Sequence, residues 1–251
     1  MRTRAVRDGD DWFMSGSKQW ITNSPYADYA MIFAITDEEK VAARKGGISG
    51  FFVRTDTPGF SVPSVIPIMG HLGADTGIVH LDQLRVPDRQ RLGPLHNGLS
   101  VAMDGVNAGR LSMAGSCVGI ARWALNQALA YVKIRKTFGR LIAEHQAVQI
   151  MLAECAMDIY AVKSMLRHCA WLIDEGRSAT KEVSMAKACA TEMVSRVVDK
   201  AIQVHGAIGL TNELRLEEAY RWARVLRIPD GTAEIQRRTI ARRLLSGDTE
   251  I

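Results

Sequence analysis

The residues with the clearest chemical potential sit near the carboxyl end of the chain. Asp230, in the run Pro229-Asp230-Gly231-Thr232, offers a carboxylate among residues that favour a turn. Closed into an apolar slot, such a group is raised in pKa toward the range useful for a proton-abstracting base near neutral pH. An Asp before Gly-Thr is also a good helix N-cap, so base and cap both stand as readings. A second constellation, Arg135 and Thr137 just before Gly139, suits the pyrophosphate of a dinucleotide, because a guanidinium forks onto two oxygens and a hydroxyl adds a donor. Its bland counterpart is a basic helix terminus answering the helix dipole. Gly206 permits a left-handed turn at the end of a helix and lets backbone N–H groups approach a bound anion, although an ordinary C-cap asks for the same glycine. Arg237, Arg238, Arg242 and Arg243 suggest a phosphate clamp, but helical spacing spreads them over more than one face, which makes most of them solvated or interface charge. Trp20 and Thr22 end a predicted strand, where Trp20 taken alone reads as a core aromatic.

Composition narrows the class. The 251 residues are 47% hydrophobic and 24% charged, enough for a real core and unlike a disordered or fibrous chain. No apolar run approaches the roughly 20 residues that span a bilayer, and the first residues lack an apolar signal core, so a soluble, cytoplasmic protein is expected. Cys117, Cys155, Cys169 and Cys189 lie far apart without a CxxC pair, which fits buried thiols in a reducing compartment rather than disulfides or a metal site. The net charge of +5 suits an anionic ligand. The basic residues are scattered and no aromatic platform interleaves them, which argues against nucleic acid.

Two parts with different periods must position these residues. Through Gly93, short β-rich runs such as 29–36 and 48–55 alternate with Asp8-Gly9, Ser15-Gly16, Gly46-Gly47 and Pro58-Gly59. The run from Gly77 to Pro87 places Val79 and Leu81 on one side and His80 and Asp82 on the other, as a half-buried antiparallel strand does. Residues 1–93 are therefore expected to form a small antiparallel β-barrel or sandwich. From Pro94 the period becomes helical. Val148, Leu152, Cys155, Ile159, Val162, Leu166, Cys169 and Ile173 form one stripe, and Val183, Ala186, Ala190, Met193, Val197, Ala201 and Val204 form another. With helical stretches over 98–134 and 231–245, residues 94–251 predict an antiparallel four-helix bundle, beside a short helical segment over 213–226. Small residues crowd the stripes, and the glycines between 98 and 119 argue against a coiled-coil rod. The fold class is thus α+β, with two domains.

Four segments in register, GSKQWITNSPYADY (16–29), RKTFGRLIAEHQAVQ (135–149), QVHGAIGL (203–210) and IPDGTAEIQRRTIARRLL (228–245), together resemble the acyl-CoA dehydrogenase family over nearly the whole chain. The resemblance implies a middle β-barrel followed by a four-helix bundle, and FAD as cofactor. It implies Trp20 over the flavin ring with Thr22 donating to its redox-active edge. Arg135, Thr137 and Phe138 are implied on the FAD of a partner subunit, with His145 and Gln146 beside them. Gln203, Gly206 and Ala207 are implied at the adenosine–pyrophosphate portion, and Thr232 and Glu234 in the loop after the base. Asp230 stands where most members carry Glu as the base for the substrate α-proton, one methylene shorter, which fits a bulkier or branched substrate and equally a different C–H acid. Asn107, Arg110 and Gly231 are implied on the substrate side. Some members place the base immediately before the residue matching Arg110, and that position is Gly109 here. Ala207 departs from the commoner second glycine and narrows the space for the cofactor.

The activity so implied is α,β-dehydrogenation of an acyl-CoA, with an electron-transfer flavoprotein as acceptor and a homodimer or homotetramer as the assembly. Two alternatives keep the fold: a flavoenzyme resembling nitroalkane oxidase, whose base is Asp, and a non-catalytic subunit serving as a binding platform. Family members carry a further helical domain ahead of the barrel. Its absence here is expected to weaken FAD binding unless a partner chain in a hetero-oligomer supplies it. A truncated or mis-started gene product and an excised piece are the other readings.

Overall fold

The computed structural model describes residues 1–70 and 73–250 and divides into two compact units, Met1–Val106 and Asn107–Ile251. The first unit is built on one seven-stranded sheet. Strand β1 (Arg4–Asp8) turns into β2 (Asp11–Thr22) through Gly9 and Asp10, the glycine taking φ +59°. β3 (Tyr29–Ile35), the short helix α1 (Glu38–Ala42) and β4 (Ile48–Arg54) follow. β5 (Phe60–Ile66), β6 (Thr76–Pro87) and β7 (Arg91–Leu92) complete the sheet, in spatial order β5-β6-β2-β1-β3-β4-β7. Every neighbouring pair is antiparallel except β1 with β3. Among the described residues no pairing joins β5 to β7, so the expected barrel or sandwich is met by a sheet-rich domain whose hydrogen bonding does not close.

The core of this unit lies on one side of the pleat: Trp12 and Met14, Ile32 and Ala34, Phe51 and Val53, with Val79, Leu81, Leu84 and Val86. The alternation predicted for Gly77–Pro87 breaks at Gln83, which takes φ +46°. The pairing with β2 shifts register between Met14 and Gly16, opposite this point. An extra residue in one strand reverses the phase of those beyond it. Leu84 and Val86 therefore face the same side as Val79 and Leu81.

The helical unit is carried by α2 (Gly98–Val132), α3 (Gln146–Asp174), α4 (Thr180–His205), α5 (Leu216–Val225) and α6 (Ala233–Leu245), with a two-stranded hairpin of β8 (Lys136–Thr137) and β9 (Arg140–Leu141) between α2 and α3. The four long helices occur where the stripes place them, and α5 answers the short segment. Ala114, Ala121, Ala124 and Ala128 of α2, Cys155, Ile159 and Val162 of α3, and Ala190, Met193 and Val197 of α4 share one cluster. Small side chains let these backbones approach closely. The α3 stripe was expected to end at Ile173, yet Leu172 is buried and Ile173 is half exposed. Leu172 is buried because it joins Cys169 of the same helix and Ala179, Val183 and Ala186 of the following segment in a separate apolar cluster.

α4 is buried far beyond a single stripe. It packs against α3, α5 and α6, and Ser184, Lys187, Ala188, Thr191, Val194 and Val198 are covered in addition to the predicted positions. The four cysteines are free, and burial pushes the Cys117 thiol up to about 12 and the Cys169 thiol up to about 11. Among the described residues no helix is long and apolar enough to cross a membrane. Replacing the fully buried Met193 by Ala should remove about 2–5 kcal/mol of unfolding free energy, read from urea denaturation of the helical signal.

Candidate active site

The loop between α5 and α6 is organised by three buried side chains that reach its backbone carbonyls. Arg110 Nε donates to Asp230 O at 2.8 Å, and its Nη1 donates to Asn107 Oδ1 at 3.1 Å one helical turn away. Lys187 Nζ donates to Pro229 O at 2.9 Å and to Gly231 O at 2.6 Å. Gln236 Nε2 donates to Asp230 O at 3.2 Å and Gly231 O at 2.9 Å. The backbone so held is unusual, with φ +53° at Asp230 and +95° at Gly231. A non-glycine residue held there costs on the order of 1 kcal/mol, so the surrounding contacts must hold it. A Cβ at Gly231 would lie 3.0 Å from Gln236 Nε2 and 3.2 Å from Arg110 Nη2, so its place after Asp230 is set by crowding as well as by φ.

The Asp230 carboxylate itself forms no hydrogen bond or ion pair among the described residues, and it is partly exposed. A Cβ at Gly109 would lie 2.9 Å from its Oδ2. Glycine at 109 is therefore what gives the carboxylate room against α2. The N-cap of α6 is Thr232, whose hydroxyl accepts from Ile235 N at 3.4 Å, and not Asp230. The cap reading is thereby corrected: the turn places its second polar residue, not its first, at the helix start. Among the described residues the groups seen to bear on the Asp230 charge are cations. Asp230 shares its surroundings with the Arg110 and Lys187 cations, both pulled below their usual pKa by burial and opposed in this by the nearby Asp230 charge. Glu234, exposed in the first turn of α6, is lowered by its hydrogen bond with Thr232.

A second cluster sits where α2 gives way to α3. Arg135 is exposed, with no ion pair to its guanidinium among the described residues. Thr137 Oγ1 lies 3.2 Å from His145 Nε2, and Arg140 lies 3.0 Å from His145 Nδ1. A guanidinium can only donate, so Nδ1 accepts; Nε2 then carries the proton of a neutral ring and donates to Thr137. Phe138, at φ +50° and 97% exposed, sets its ring edge-on to His145 with centroids 6.4 Å apart. Gln146 opens α3 and is exposed. At the end of α4, Gln203, Gly206 and Ala207 are exposed, and Gly206 takes φ +66° and ψ −141°, the mirror image of an extended turn and open to glycine. Beside them the buried His205 stacks on Tyr131 at 4.5 Å and donates from Nδ1 to Ala201 O at 2.7 Å. The sterically required glycine of this segment is Gly209, where a Cβ would meet Ile202 O at 2.7 Å.

In the first unit, Trp20 is 60% exposed with φ +65°, beside a register irregularity between Lys18 and Ile21. The core reading of this ring is overturned, because the irregular pairing turns it out of the pleat; the core pair is Trp12 with Phe51. Thr22 ends the same strand, exposed. Of the four arginines of α6, Arg237 pairs with Glu192 at 2.8 Å, and Arg238, Arg242 and Arg243 are not buried, as their spacing suggested.

The sequence reading missed Lys187 and Gln236. Lys187 lies four residues after Val183 and three before Ala190, on the apolar line of α4, and a lone cation on such a line was the available signal.

Residues 1–84 match the acyl-CoA dehydrogenase middle domain and residues 96–245 the acyl-CoA dehydrogenase C-terminal domain, and the chain belongs to this family. The relatives give it particular company. It is 41% identical over 244 residues to a probable acyl-CoA dehydrogenase, YngJ, of Bacillus subtilis, covering 97% of this chain and 64% of that one. It is 38% identical to the CarC subunit of the caffeyl-CoA reductase–Etf complex of Acetobacterium woodii, covering 98% and 64%. Butyryl-CoA dehydrogenase of Megasphaera elsdenii superposes with a TM-score of 0.93 at 31% identity, covering 97% and 63%. The chain thus spans about 64% of the length of these relatives. Thr232→Ala should lower the unfolding free energy by about 1 kcal/mol through loss of the α6 cap, measurable by urea denaturation.

Proposed function

We propose that the chain serves FAD-dependent α,β-dehydrogenation of an acyl-CoA thioester, with Asp230 as the base for the α-proton. One observation carries this reading: the Asp230 backbone is held by three buried donors while its carboxylate stays uncommitted in the space that Gly109 leaves. A carboxylate so placed can accept a carbon-bound proton without breaking an interaction of its own. The α-proton becomes acidic only as the thioester oxygen is stabilised, which calls for N–H donors aimed away from the protein interior. With carbonyls 229–231 turned toward Lys187, Arg110 and Gln236, the next N–H groups turn the other way. Asn107 supports Arg110 from the preceding turn of α2.

The residues present fit FAD in their donor chemistry. Among the described residues Arg135 keeps a guanidinium without an ion pair for phosphate, Thr137 and His145 add polar groups, and Phe138 presents an uncovered ring. Gly206 stands in open space at the end of α4 beside the exposed Ala207, Gln146 and Gln203 add amides, and Thr232 and Glu234 begin α6. Trp20 and Thr22 offer an aromatic face and a hydroxyl in the first unit. Bound FAD supplies the acceptor for the β-hydrogen and its two electrons. The exposed Phe138 and Ile134 favour cover by a second copy of the chain, as a homodimer or homotetramer. We propose the domain boundary at Gly93–Pro94, ahead of α2, whereas the compact units divide within that helix at Val106, and we propose an electron-transfer flavoprotein as acceptor on the naming of the CarC relative. Four free thiols favour the cytoplasm.

The test is Asp230→Asn in the flavin-loaded enzyme, mixed anaerobically with a panel of acyl-CoAs. Loss of flavin bleaching by about 100-fold or more is expected, and wild-type bleaching would remove Asp230 from the mechanism. Absence of bleaching by every thioester, with oxygen consumed on a nitroalkane, would replace the substrate class. Gly109→Ala crowds the carboxylate and should lower kcat by roughly tenfold with a smaller change in KM, measured by steady-state kinetics.

A further inference from the structure

Two lysines of α4 are fully buried, and they differ in what they meet. Lys181 is ion-paired, its Nζ lying 2.5 Å from Asp248 Oδ1 and 3.4 Å from Glu182 Oε1. Lys187, with no exposed surface, has no carboxylate within ion-pair distance among the described residues. Its hydrogen bonds go to the carbonyl oxygens of Pro229 and Gly231, on either side of Asp230. An ammonium taken out of water with no carboxylate in ion-pair contact costs several kcal/mol, and a Met of similar length would fill the same volume without that cost. Packing of α4 therefore does not account for a lysine here, and the loop does.

Peptide geometry says what the contact accomplishes. In a trans peptide the C=O of one residue and the N–H of the next point in opposite directions. Drawing the carbonyls of Pro229 and Gly231 inward turns the N–H groups of Asp230 and Thr232 outward, while Arg110 and Gln236 hold the Asp230 carbonyl between them. Among the described residues neither the Asp230 N–H nor the Thr232 N–H forms a hydrogen bond, whereas Gly231 closes the turn over Pro229 and Asp230. The two flanking anchors also fix both ends of the left-handed Asp230, and so the direction of its Cα–Cβ bond.

We propose that Lys187 is a positioning residue for the dehydrogenation: by clamping Pro229 O and Gly231 O it aims the Asp230 carboxylate and the adjacent N–H groups at the reacting thioester. This rests on Asp230 being the base. The experiment is a double-mutant cycle in the flavin-loaded enzyme, comparing wild type, Lys187→Met, Asp230→Asn and the double variant. It reads kcat and KM per bound flavin, and exchange of the acyl-CoA α-proton in deuterated water. Lys187→Met should lower kcat and exchange on the order of 100-fold with a smaller change in KM. In the Asp230→Asn background it should cost nothing further, because residues acting as one unit are not additive. Lys187→Gln keeps a neutral donor and should fall between Met and wild type, and it carries the same comparison if the Met variant does not fold. Wild-type kcat per flavin in the folded Lys187 variants, or losses that multiply in the double variant, would reduce Lys187 to a stability role and overturn the proposal. An inactive Asp230→Asn enzyme beside a fully active Lys187→Met enzyme sinks Lys187 alone. An active Asp230→Asn enzyme sinks the base, and the role of Lys187 with it.

Discussion

The helical unit is arranged around cations whose partners are backbone carbonyls. Arg110 from α2 and Lys187 from α4 converge, with Gln236 from α6, on three consecutive peptide groups. Such donors work only when dry, since in water each carbonyl would find a partner without them. Dryness in turn demands close helix packing. The neighbouring positions of α4 are Ser184, Ala186, Ala188, Ala190 and Thr191, all buried and all small. Cys117 belongs to the same environment, and burial keeps its thiol protonated despite the Lys187 charge that favours the thiolate. A thiolate would offer the ammonium an alternative partner; the neutral thiol leaves it to the loop.

This arrangement explains which parts of the molecule were legible in the sequence. Hydrophobic periods found every long helix, because each helix must bury one stripe. The stripes could not rank the helices by burial. α4 was read as having one covered side, and it is covered on most of its circumference, having α3, α5 and α6 as neighbours. Lys187 escaped for that reason: a charge on an apolar line is set aside as an exception when the line alone is being read. Arg110 entered only because the motifs surrounding it resemble a family, and no period distinguishes a buried arginine from a solvated one.

Irregular strand pairing hid a different kind of information. A strand's two faces follow from alternation until one residue is inserted, and nothing in the residue types of Lys18–Ile21 or of Asp82–Leu84 marks the insertion. Trp20 was therefore weighed as a core ring, while the alternation read for Gly77–Pro87 does not hold past Gln83. Glycines misled in a related way. Gly206 attracted attention as the helix stop and sits in open space, whereas the position that excludes a side chain is Gly209, three residues on. Whether a glycine is needed for its φ or for its missing Cβ is decided by what approaches it from elsewhere in the fold.

Gly109 and Asp230 show how far such dependence reaches. A Cβ at 109 and the carboxylate oxygen at 230 compete for one space, 2.9 Å apart, although 121 positions separate them in sequence (230 − 109). A side chain at 109 and an inward carboxylate at 230 are thus alternatives rather than independent choices. The residue after Gly109 completes the exchange, for Arg110 reaches the carbonyl of the same Asp230. One turn of α2 thereby withdraws bulk from the carboxylate and supplies a donor to its backbone. A shorter acid can work in that setting only if its main chain is held still, since it has one fewer rotatable bond with which to correct a misplacement. The left-handed backbone at Asp230, secured on both sides by Lys187, meets that requirement.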